Sequence, residues 1–124
     1  MYNLGLLALA QEDLERATEY LSEGLSLAEE VRDVLNAPYF IKGLGQVAGL
    51  LGQAALAVRL LGAAETALRA MGSPPYRYVP DGSLQDRVLA ASRDVLGEAA
   101  FDEEWKRGRA MTLERATAEA LEAT

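Results

Sequence analysis

The chain has 124 residues, 50% hydrophobic and 25% charged, the composition of one globular domain long enough to bury a core. With no cysteine and no histidine it has no disulfide, thiolate nucleophile or imidazole base, and it lacks the commonest zinc ligands. Its 19 acidic against 12 basic residues give a net charge of −7, which opposes condensation on a nucleic-acid backbone or an anionic membrane.

No apolar run approaches the roughly 20 residues of a membrane span, and Met1 to Leu6 carries neither the basic lead nor the cleavage site of a secretory signal. Direct nucleic-acid binding and membrane insertion are therefore not expected, and the expected location is the cytoplasm. The 22 Ala and 21 Leu against 7 Val and 1 Ile disfavour strands, because pleated surfaces select β-branched residues. The predicted class is all-α.

The first helix, over 1–10, has no N-cap and reads as cut into. Asp13 caps a second helix, to about 32, whose Leu14, Ala17, Leu21, Leu25 and Ala28 form one apolar stripe. Asn36 and Pro38 start a third, with Ile41, Leu44, Ala48 and Leu51 inward, and Gly52 closes it. A fourth, over about 53–71, turns Leu56, Leu60, Leu61, Ala64 and Leu68 inward and ends at Gly72. The next segment holds three of the four prolines and is the main loop. Ser83 with Asp86 resembles a capping box for a fifth helix to about 96, Gly97 separates a sixth over 98–110, and Thr112 caps a seventh over 113–123.

Sliding the chain on itself by 40 aligns Leu4 with Leu44, Gly5 with Gly45, Ala8 with Ala48, Ala17 with Ala57 and Leu21 with Leu61, while Gly24 meets Ala64. Small residues at fixed positions suit close helix crossings, and Leu fills the space between successive pairs. Asn3-Leu4-Gly5 with Ala8, Ala17, Tyr20 and Leu21 resembles a tetratricopeptide repeat, and Leu44, Gly45, Ala48 and Ala57 keep the pattern. The offset exceeds the usual spacing of about 34. It is similar to the longer-helix variety in the arms of LuxR-type and STAND ATPase bacterial transcriptional regulators. Arg59-Leu60-Leu61-Gly62-Ala63-Ala64-Glu65 and the stretch LGEAAFDEEWKRGRAMTLERATAEAL over 96–121 resemble the C-terminal end of such arms.

The resemblance implies a single domain over 1–124 of antiparallel helical hairpins, stacked as a short tetratricopeptide-like right-handed solenoid with a C-terminal helical cap. The first repeat is 1–35, truncated at its N-terminus; the second is 36–72; 73–83 is the loop; 84–124 are the capping helices. Phe101, Trp105 and Gly108, at helical spacing, are expected to seat the cap. The implied function is non-enzymatic protein interaction within or beside a transcriptional regulator, by binding a protein or peptide or by self-association. The alternative is a sensor of a small-molecule inducer. The ATPase and DNA-reading parts of such regulators are not among these residues, so neither activity carries over.

No P-loop, dinucleotide fingerprint or EF-hand occurs, so no catalytic, metal or cofactor site is predicted. Glu15, Glu19 and Glu23 line one helical edge as a solvated face, Asp102, Glu103 and Glu104 complement a helix N-terminus, and Lys106, Arg107 and Arg109 a C-terminus. Tyr76-Arg77-Tyr78 is read as a loop folded over apolar surface. The candidate groove is Tyr39, Lys42 and Gln46 on one face of the third helix, joined by Asn3 from the first repeat. Leu6, Leu7 and Leu9 are expected to lie exposed where an earlier hairpin would sit, forming a homodimer contact.

Overall fold

The computed structural model describes residues 2–72 and 82–124, with side chains over 4–72 and 84–124. The described chain is all-α, and none of its helices is long and apolar enough to cross a membrane. In chain order the helices are α1 (Tyr2–Ala10), α2 (Leu14–Val31), α3 (Ala37–Leu50), α4 (Ala54–Ala70), α5 (Gly82–Leu96), α6 (Glu98–Ala110) and α7 (Leu113–Glu122).

Local chemistry explains the boundaries. The Asp13 carboxylate accepts from the Arg16 amide at 3.2 Å, and the Thr112 hydroxyl accepts from the Arg115 amide at 3.1 Å, each satisfying an amide that the helix start leaves unpaired. Pro38 sits in the first turn of α3, where its missing N–H costs nothing. α5 starts at Gly82, and the Ser83 side chain, on which the capping-box expectation rests, lies outside the described residues. The loop tyrosines Tyr76 and Tyr78 with Arg77 also lie outside them.

Consecutive helices pack on one another from α1 to α4, α5 covers α3 and α4, α6 lies along α4, and α7 returns over α2, α3 and α4. The core is Leu21, Leu25, Ile41, Leu60 and Leu61, each essentially inaccessible and each contributing about 1.5–3 kcal/mol of apolar burial. α3 is enclosed on nearly every side, so Gly43 through Ala48 are all buried. Leu51, expected inward, is exposed, because α3 stops at Leu50 and Leu51 caps it.

The offset of 40 recurs in the backbone. Asp13 N–H donates to the Ala8 carbonyl and Gln53 N–H to the Ala48 carbonyl, both at 2.9 Å. Glu12 and Gly52 both take left-handed φ, +57° and +82°, and so do Arg32 and Gly72, +56° and +62°. Gly5 lies against Leu21 as Gly45 lies against Leu61. The first copy thus places Glu and Arg where the second has glycine, and a side chain there costs about 1–2 kcal/mol.

α4 and α6 meet backbone against backbone. A Cβ on Gly108 would run into the Arg59 carbonyl, and one on Gly62 would meet the Trp105 carbonyl at 2.9 Å. Phe101 is buried, and Trp105 packs half-buried beside Leu61 and Val88, its ring parallel to that of Phe101 at 6.4 Å. Gly108→Ala is expected to lose about 2–3 kcal/mol in urea unfolding, since backbone and no flexible side chain must give way. Glu12→Gly should gain about 0.5–1 kcal/mol by relieving its φ. Equal and small effects would mean that the crossing has slack.

Candidate functional site

The start of α3 is held by Asp33, which accepts from the Asn36 amide at 3.2 Å and from its Nδ2 at 2.7 Å. The Asn36 side-chain bond, with the backbone bond beside it, keeps the Asp33 carboxyl below its ordinary pKa, so the cap holds at neutral pH. From this start Tyr39, Lys42 and Gln46 fall on one face of α3, as the spacing requires. They do not form an open groove. Gln46 is buried and donates through Nε2 to Oε1 of Gln85 on α5 at 3.4 Å, while Tyr39 and Lys42 are half-buried. The expectation for Gln46 missed α5, whose Val88 lies against Gly49 one turn on and draws α5 over α3. The Asn3 side chain is outside the described residues.

Lys42 makes no ion pair among the described residues, and burial alone pushes its ammonium below the ordinary lysine pKa. It is a half-buried cation one helical turn from the part-buried Gln46–Gln85 amide pair.

On α1, the three predicted contact leucines separate. Leu9 is buried in the core and Leu6 packs against it, while Leu7 is exposed together with Leu4, three residues earlier. The expectation that Leu9 lies open fails, because the turn at Glu12 folds the end of α1 onto α2 and carries Leu9 inward.

Glu15, Glu19 and Glu23 are exposed along α2, and among the described residues no group of carboxylates is placed to hold a metal ion. Asp102 and Glu103 are exposed in the second turn of α6. Glu104 is turned inward. Its carboxylate meets Arg59 Nε at 3.3 Å and Arg107 Nη1 at 2.9 Å, and Arg59 Nη2 reaches Glu119 of α7 at 3.6 Å. The Arg59–Glu104 approach is close but off the hydrogen-bond axis, so both atoms stay buried as a charge contact only. Arg59 thus ties α4, α6 and α7 together. Its sequence signal is a lone charge between the buried Val58 and Leu60.

No family model matches the chain, no curated protein is significantly similar to it in sequence, and no solved structure is significantly similar to it in fold.

Because burial depresses the Lys42 pKa, the unfolded chain binds that proton more tightly than the folded one. The resulting penalty is present in full below the folded pKa and disappears as pH rises towards the unfolded value of 10.5. Lys42→Met is therefore expected to raise the urea midpoint at pH 7, with a gain that shrinks as pH approaches 10. A gain constant with pH would assign the effect to packing.

Proposed function

We propose that the chain is a non-enzymatic protein-interaction module, a short tetratricopeptide-like right-handed solenoid with a C-terminal helical cap, which acts by binding a protein segment or a second copy of itself. The architecture is supported by the recurrence, 40 residues apart, of the same turns, left-handed residues and glycine–leucine contacts.

One observation carries the interaction reading. Leu4 and Leu7 are 47% and 54% exposed, whereas their counterparts in the second copy, Leu44 and Val47, are 4% and 3% exposed in the core. The same positions that bury a repeat against its neighbours are open in the first copy. Exposed leucines at i and i+3 on one helix face form an apolar strip that a like strip of a second copy covers by two-fold pairing. Tyr39 and Lys42 are the second contact edge of the module.

Sedimentation equilibrium tests the self-association. We expect a concentration-dependent dimer whose dissociation constant rises at least about tenfold in Leu7→Glu and is unchanged in Glu19→Lys. A monomer at high micromolar concentration, or equal effects of the two variants, would sink the proposal. A thermal shift by a metabolite that depends on Lys42 would replace it with the inducer-sensing reading.

By the resemblance of Arg59 to Glu65 and of 96–121, we place the module in the helical arm of a bacterial transcriptional regulator. Immunoblotting of the host with an antibody to this domain checks that placement: a band far above 13.3 kDa is expected, and a band at that mass would make the module a stand-alone adaptor.

A further inference from the structure

A second surface lies away from the α1 strip, where the α2–α3 corner faces the turn between α6 and α7. Two cavities meet there. One, of about 510 Å³, lies between the end of α2 and the start of α7; the other, of about 260 Å³, lies between the end of α4 and the α6–α7 turn. Val34 and Leu113 line both, so the two form one trough with an apolar floor continued by Ala37, Ala63, Ala67 and Met111. Val34 is exposed by more than half although it stands at the centre of this floor.

The polar rim is mostly of one charge. Glu29, Asp33 and Glu114 line the larger cavity against one cation, Arg32. Glu29 and Glu114 make no ion pair among the described residues, and Asp33 is held ionised by its bonds to Asn36. In the smaller cavity the buried hydroxyl of Thr66 has no hydrogen-bond partner among the described residues. An apolar floor with carboxylates on both walls, in a chain of charge −7, is complementary to an amphipathic helix that lays apolar side chains on Val34 and Leu113 and points Lys or Arg at those carboxylates. The methionine and the small alanines of the floor let side chains of different shape seat there.

We propose that this trough docks a basic amphipathic helix of a partner protein. The site is separate from the α1 strip and from Lys42, and stands whether or not the chain dimerises.

The probe is a fluorescent 14-residue peptide with Leu at helical spacing and Lys on its flanks, read by anisotropy against a copy with Glu in place of Lys. The Lys peptide is expected to bind, more weakly as salt rises, and the Glu peptide not to bind. Val34→Asp separates docking from general charge attraction, because it adds a negative charge while spoiling the floor. Docking predicts at least about tenfold weaker binding of the Lys peptide; attraction to an acidic surface alone predicts equal or tighter binding. Glu29→Lys with Glu114→Lys should weaken the Lys peptide to a similar degree, and Glu15→Gln, exposed on α2 outside the trough, should leave it unchanged. All four positions are at least partly exposed, and circular dichroism melting confirms that each variant folds. Equal binding of both peptides, undiminished binding to Val34→Asp, or a dimer that Val34→Asp dissolves would overturn the proposal, the last by assigning the trough to a second copy.

Discussion

The crossing of α4 and α6 is the contact on which the other packing depends. Gly62 and Gly108 bring the two backbones closer than any side chain permits, so α6 lies directly along α4. That proximity places Glu104 at Arg59, and Arg59 then reaches Glu119 on α7. The turn at Thr112 sends α7 back, and its Ala116 and Ala120 close the core over α2 and α3. The three charges contribute modestly by attraction, since each is largely desolvated. Their stronger effect is on alternatives, because Arg59 without its two carboxylates, or Glu119 without Arg59, would be a largely buried unpaired charge. Close packing supplies the energy, and the ion pairs specify which helix faces meet.

The repeat is visible at three levels: small and large residues align at an offset of 40, turn hydrogen bonds recur with it, and left-handed residues recur with it. The copies are not equivalent in energy. Glu12 and Arg32 pay for a conformation that Gly52 and Gly72 adopt freely, and Leu4 and Leu7 remain in water where Leu44 and Val47 are covered. The first copy is therefore the weaker one, both in its turns and in its packing. A partner that covers α1 completes for the first copy the enclosure that the second has within the chain.

Much of the fold was legible because helix signals are local. Asp13, Gly52, Gly97 and Thr112 mark their boundaries by backbone chemistry that needs no neighbour, and the stripe from Ala17 to Ala28 depends only on periodicity. What was not legible depended on which helix covers which. Gln46 reads as exposed on the periodicity of α3 alone and is buried because α5 closes over it. Leu9 reads as open on a helix with no visible predecessor and is buried by the turn that follows it. Glu104 sits among exposed acids in the sequence, and only the α4–α6 crossing turns it toward Arg59. The trough around Val34 was invisible for the same reason: its walls come from four helices, and Val34 itself lies in the turn between α2 and α3.

The two open surfaces differ in what they can accept, and the difference follows from charge. The exposed leucines of α1 can meet a second copy only if apolar burial outweighs the repulsion of two chains each carrying −7, so screening by salt favours that contact. The trough instead gains from the acidity of the chain, because its lip attracts a cation and screening weakens that attraction. Lys42 is the counter-case, a half-buried cation with no ion pair among the described residues, whose ammonium burial pushes below its ordinary pKa. One net charge thus opposes a like partner at α1 and recruits an opposite one at Val34. On the proposed reading the two surfaces ask for partners of different chemistry, so occupation of one does not compete with occupation of the other.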